Sequence, residues 1–239
     1  MTAFHVGTTV PPSLARPLAR IAGRLPIADG VVVVAGIDDP RLPARLPEGP
    51  RVVVPAFSTR ARPPWAESLL RSADVLVALD ASEAAALRGD IVCPVVVAGL
   101  PRPDAAPGPS RGLDPGGHDA MASLWREEVG AMPSGGPAVA WVGGPCAAAL
   151  AAAAEAWAGG RAVVALPHPP RHDMLSRGGA LAAHTSLEAI EATMLLCRAR
   201  PLTQALAARG RRTLSTMKAL DEVVAGFAEA VALALETRG

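Results

Sequence analysis

The chain has 239 residues, of which 50% are hydrophobic, and a formal net charge of +1 at pH 7. That length suits one large α/β domain or two small ones, with apolar residues enough to bury a sizeable core. Near-neutrality argues against an electrostatically driven nucleic-acid partner, which would need a concentrated basic face, so none is expected.

Aromatic residues make up 3% of the chain and tyrosine is absent, so the core must be built from Val, Leu and Ala. Lys218 is the sole lysine, and the other cations are arginines. Cys93, Cys146 and Cys197 are far apart and form no Cys-x-x-Cys motif. No disulfide framework is expected, and a reducing cytoplasm is the expected compartment. Each cysteine lies among apolar neighbours and reads as a small buried hydrophobe. No apolar run reaches the roughly 20 residues that span a bilayer. The opening Met1-Thr2-Ala3-Phe4-His5 lacks the basic flank and apolar stretch of a signal peptide. Peripheral membrane contact stays open.

The elements alternate in chain order. Ala3 to Val6 reads as a strand, followed by a Gly7-Thr8-Thr9 turn. Ser13 to Leu25 carries Leu14, Leu18, Ile21 and Leu25 on one helical stripe. Val31 to Ala35 and Arg51 to Val54 are β-branched runs of the kind covered on both faces. A helix from Trp65 to Arg71, a strand from Asp74 to Leu79, a helix from Ser82 to Arg88 and a strand from Val95 to Ala98 complete the first block. Such alternation implies a parallel sheet with right-handed crossovers.

The stretch from Pro101 to Gly136 is rich in Pro, Gly, Asp and Ser, with one helical candidate from His118 to Val129. The domain boundary is expected there: residues 1–105 as one domain, 106–136 as a linker with a short helix, and 137–239 as a second domain. In that second block Ala138 to Val142 is a strand, Gly143-Gly144-Pro145 a turn, Cys146 to Ala158 a helix and Arg161 to Leu166 a strand. Ala180 to Ala183 is a short strand. Thr185 and Glu188 form a capping box that opens a helix to about Arg198. Pro201 starts a helix that Gly210 ends. Leu220 to Leu235 is an amphipathic helix, with Val223, Val224, Phe227, Val231 and Leu235 on its apolar face.

Several features carry two readings each. Gly143 and Gly144 before a helix can present backbone amides to a phosphate, or simply turn the chain. Gly7-Thr8-Thr9 is equally ambiguous. His168 and His172 flank two prolines, which break the helix that would align them as metal ligands; no metal site is expected. His5 stands at a strand end, where a histidine satisfied by backbone is the default. His118 and His184 make no case for themselves. A catalytic residue cannot be assigned. No Gly-x-Ser-x-Gly elbow, Walker lysine or Gly-x-Gly-x-x-Gly fingerprint occurs, which argues against triad, P-loop and NAD chemistry.

One segment is more specific. Glu155-Ala156-Trp157-Ala158-Gly159-Gly160-Arg161-Ala162-Val163-Val164-Ala165 places an acid on an alanine-rich helix, then a Gly-Gly break, then a strand. It resembles the Glu-Ala-x-Ala-x-Gly-x-Pro-Val-Val-Ala segment of retaining GT-B glycosyltransferases, of the family 4 type, that use nucleotide-sugar donors. Trp65 to Asp74 with Ser82-Glu83-Ala84 is similar to the late part of that family's acceptor-side domain. Ala208-Arg209-Gly210-Arg211-Arg212 is similar to the stretch before its last helix, and Phe4-His5-Val6-Gly7-Thr8 to its His-x-His strand end.

The resemblance implies two Rossmann-like parallel-sheet domains facing a cleft, reduced in size. It implies a nucleoside-diphosphate sugar on the second domain, with ribose on Glu155, diphosphate near Gly143 and Gly144, and His168 in contact. His5 and His172 would face the cleft. It calls for no cofactor. The family's first glutamate falls at Ala147 here, its Arg/Lys pair has no clear equivalent, and its members are substantially longer. The expected function is therefore sugar transfer to an acceptor the sequence does not name. The alternative is an inactive glycosyltransferase-like protein that binds a nucleotide sugar or partners a transferase, and a bland Rossmann-like binding module is the third reading. A second copy of the chain or a transferase is the expected protein partner.

Overall fold

A computed structural model describes residues 3–8, 10–26, 30–37, 39, 42, 46–55, 64–104, 112–114, 118–131, 133, 135, 138–144, 146–167, 175 and 178–238. It is an α/β protein with two parallel sheets, one in each of two compact units. The first unit comprises Met1–Pro101 with Lys218–Gly239, the second Arg102–Met217.

The first sheet runs in chain order: β1 (Ala3–Val6), β2 (Val32–Ala35), β3 (Arg51–Val54), β4 (Val75–Ala78) and β5 (Val95–Val97). All neighbours are parallel. The central runs are buried along their whole length, as expected of strands with both faces covered. Val32, Val34, Val53, Leu76 and Ala78 share one core with Ala66 and Leu70 of α2 (Pro64–Arg71) and Ala84 and Leu87 of α3 (Ala81–Asp90). The register sets Phe4 beside Val33 and Val33 beside Val52, on the alternate face. There the ring of Phe4 meets Phe227, with centroids 6.4 Å apart. Helix α1 (Pro12–Ala22) buries Leu14, Leu18 and Ile21, three of the four residues of the expected stripe; the helix ends before Leu25, which is half-buried.

Phe227 belongs to the terminal helix, Leu220–Arg238, which packs on β3, β4 and β5. The sequence expectation ran the second domain through residue 239; the last helix instead completes the first unit. Two glycines and a lysine make the close approach. A Cβ on Gly226 would lie 3.1 Å from the Cα of Ala98. The Lys218 ammonium donates to the carbonyls of Val97 and Ala98, at 3.1 and 2.9 Å. Gly99, at φ +87°, leaves room for the lysine stem. Along this helix Val223, Phe227, Ala230, Val231 and Ala234 are buried, whereas Leu235, expected on the apolar face, is exposed.

The second sheet is β6 (Leu113–Asp114), β7 (Val139–Val142), β8 (Ala162–Ala165) and β9 (Ala180–Ala182), again parallel. The segment expected as a linker is thus part of this unit. Its helix α4 (Asp119–Glu128) buries Met121, Ala122 and Trp125, and Trp125 stacks at a tilt on Trp141 of β7, centroids 5.9 Å apart. Val139, Trp141, Ala162 and Val164 join α4 and α6 (Ser186–Arg198) in one core. Their alternate neighbours Ala140, Val142 and Val163 are buried as well, and α5 (Cys146–Ala158) packs on β7 and β8.

The capping box forms. Thr185 Oγ1 accepts from the Glu188 amide at 3.1 Å, and the Glu188 carboxylate accepts from the His184 amide at 2.6 Å. Helix α7 (Arg200–Leu214) does not end at Gly210. That glycine is buried inside the helix, against Trp157 of α5. It serves close packing instead of termination. The terminal helix is α8. Cys93 and Cys197 are free thiols and half-buried, less enclosed than the sequence suggested, and partial burial raises the pKa of each above the ordinary thiol value. No helix among the described residues is long and apolar enough to cross a membrane.

Candidate functional site

In a parallel sheet, chemistry collects where strands end at their carboxyl edge and helices begin. In the second unit that edge holds Gly143 and Gly144, which follow β7 and precede α5. The two glycines have different jobs. Gly144 adopts φ +103° with open space around it, a left-handed turn that favours glycine. Gly143 is hemmed in: a Cβ there would stand 3.1 Å from Cε1 of His118 and 3.3 Å from Cβ of Leu166. The helix start after β9, that of α6, is closed by its own capping box.

His118 is the residue that sequence reasoning passed over. It precedes α4, and its imidazole lies at the Gly143 turn. Burial pushes its pKa below the ordinary imidazole value, against a smaller upward pull from the Asp119 carboxylate. No sequence signal linked it to Gly143, because the two meet only when β6, α4 and β7 assemble.

Glu155 stands elsewhere. It lies in the last turn of α5, about 13 Å along the axis from Cys146 at ~1.5 Å per residue. It is half-buried and engaged within the molecule. The intervening helical turns carry the carboxylate away from Gly143 and Gly144.

Two obvious cations have partners away from the glycine turn. Arg161, from the Gly159-Gly160-Arg161 break, forms an ion pair with Asp114 that ties the start of β8 to β6. Lys218 is held on the carbonyls of the first unit. His168 and His172 lie outside the described residues. Among the described residues, no group of three or more His, Cys, Asp or Glu could hold a metal ion.

The first unit's edge is occupied by its own contacts. Buried Asp39 accepts from both the amide and the hydroxyl of Thr8, the latter at 2.7 Å. A Cβ on Gly7 would lie 2.4 Å from the Gly36 carbonyl oxygen. The Gly7-Thr8 turn therefore presents a carboxylate, which disfavours a phosphate beside it. Beyond β4, Asp80 accepts from the Glu83 amide and Glu83 accepts from the Leu79 amide, closing the start of α3. His5 lies within β1 and is half-buried. Its Nε2 is enclosed and has no hydrogen-bond partner among the described residues.

The structure thus brings Gly143, Gly144, His118 and Leu166 together, and it separates Glu155 from them. No protein-family model matches this chain, and no curated protein matches it.

Proposed function

We propose that the chain is a glycosyltransferase-like protein whose second unit binds the diphosphate of a nucleoside-diphosphate sugar without turning it over. The observation that carries this reading is the Gly143-Gly144 turn at the end of β7. It opens a helix of thirteen residues and has an imidazole packed against it. Backbone amides and the positive end of α5 supply an anion-binding surface of the kind parallel α/β units offer.

Catalysis would need more. Leaving-group stabilisation depends on cations or donors fixed at the developing charge. Arg161, within the Glu155-to-Ala165 segment, pairs with Asp114, and Lys218, the sole lysine, is held on two carbonyls. The second reading is an active transferase. The Glu155-to-Ala165 likeness favours it, since an ionised carboxylate suits two ribose hydroxyls.

Isothermal titration of the full chain with UDP, GDP and ADP tests both. Binding of one nucleotide, lost in Gly144→Val, with no hydrolysis or transfer from its sugar, is the expected result. Turnover of a sugar nucleotide would establish the second reading. Failure of all three nucleotides to bind at millimolar concentration would leave the bland module.

A further inference from the structure

The small net charge conceals an uneven distribution of charge along the chain. Between Glu191 and Lys218 the chain carries Arg198, Arg200, Arg209, Arg211 and Arg212, and no Asp or Glu. These residues lie on α6 and α7, which join at Ala199. Helix α6 buries Ala189, Ile190, Thr193 and Leu196. Its periodicity puts Leu195 and Arg198 on the other side. Helix α7 buries Thr203, Ala207, Gly210 and Leu214.

Around the joint, four side chains reach solvent in succession. Leu195 is 51% exposed and Leu202 37% exposed, and Arg198 and Arg200 between them are exposed too. Arg211 and Arg212 are exposed further along. None of Arg198, Arg200, Arg211 and Arg212 pairs with an acid among the described residues.

Charge and apolar exposure together select the occupant. A second copy would bring the same arginines face to face across a symmetric contact. Nucleic acid would account for the arginines but not the leucines, and residues 192–217 include no aromatic ring on which a base could stack. An anionic bilayer accounts for both. Leucines enter the boundary of headgroups and acyl chains, and guanidinium groups meet lipid phosphates. We infer that the α6–α7 elbow docks the second unit on an anionic lipid surface, through Leu195 and Leu202 and through Arg198 and Arg200.

Flotation of the full chain with vesicles tests this. One set contains phosphatidylcholine alone, the other equal parts of phosphatidylcholine and phosphatidylglycerol. The chain is expected to float with the anionic set and stay behind with the neutral one. Arg198→Gln with Arg200→Gln should weaken partitioning about 30-fold, the equivalent of ~1 kcal/mol per cation near such a surface. Leu195→Ser with Leu202→Ser should weaken it as an independent pair. All four residues are exposed, so far-UV circular dichroism should be unchanged in both variants. The inference is overturned if the chain floats with neither set, if it floats equally with both, or if both variants float like the parent. Binding of a labelled oligonucleotide with no flotation would overturn it as well.

Discussion

A methyl group on Gly210 would lie 2.0 Å from Cδ1 of Trp157. The indole is fully buried, and its Nε1 has no hydrogen-bond partner among the described residues. Helices α5 and α7 therefore meet through a flat ring set against bare backbone. This contact explains a glycine in mid-helix, where alanine would ordinarily be favoured by about 1 kcal/mol.

Gly210→Ala should accordingly destabilise the second unit by about 1–3 kcal/mol, the usual cost of overpacking. Urea unfolding followed by tryptophan fluorescence measures it. Combined with Trp157→Leu, the same alanine should add little further loss. A Gly210→Ala protein as stable as the parent would mean that the two helices are not in this contact.

A second core position depends on one hydroxyl. Thr193 Oγ1 accepts from the indole N–H of Trp141 at 2.7 Å and donates to the Ala189 carbonyl at 2.7 Å. Thr193→Val keeps the shape and strands the buried N–H, so it should cost about 1–3 kcal/mol. Trp141→Phe removes the stranded donor. In a double-mutant cycle the two losses should be clearly less than additive.

His118 predicts a pH dependence with a definite sign. Burial lowers its pKa in the folded state. The unfolded chain therefore binds a proton more readily, and stability falls as pH drops through the ordinary imidazole range near 6.5. The loss levels off below the folded pKa. Thermal midpoints between pH 8 and pH 5 should show this slope, and His118→Gln should flatten it. An unchanged slope in the variant would assign the effect to other groups.

Nucleotide binding should separate two carboxyl-edge glycines from one acid. If the diphosphate sits at the Gly143-Gly144 turn, Gly144→Val should weaken affinity at least tenfold, because φ +103° strains any side chain. Glu155→Ala should change it less than about threefold, since Glu155 lies roughly 13 Å along α5. The opposite ranking in titration calorimetry would return the ribose to Glu155.

The α/β character was legible because valine runs and helical stripes are local patterns. Val31 to Ala35 announces a covered strand, and Thr185 with Glu188 announces a helix start, whatever lies around them. Helix ends were less legible. Gly210 reads as a stop because the chain alone gives no hint of Trp157 behind it. The linker reading of residues 106–136 rested on Pro and Gly content, and the pairing of Leu113 with Val139 is invisible from composition.

What the sequence determined by itself is the parallel α/β plan: alternating apolar periods of two and of 3.6, with turns at glycine. Tertiary structure decided which pieces belong together. It joined α8 to the first sheet, since Phe227 and Val223 need the apolar face that β3 to β5 expose, and chain order does not specify that partner. It also set His118 against Gly143 and moved Glu155 down α5. Proximity between residues far apart in sequence depends on how buried faces close on one another, and no local pattern encodes it.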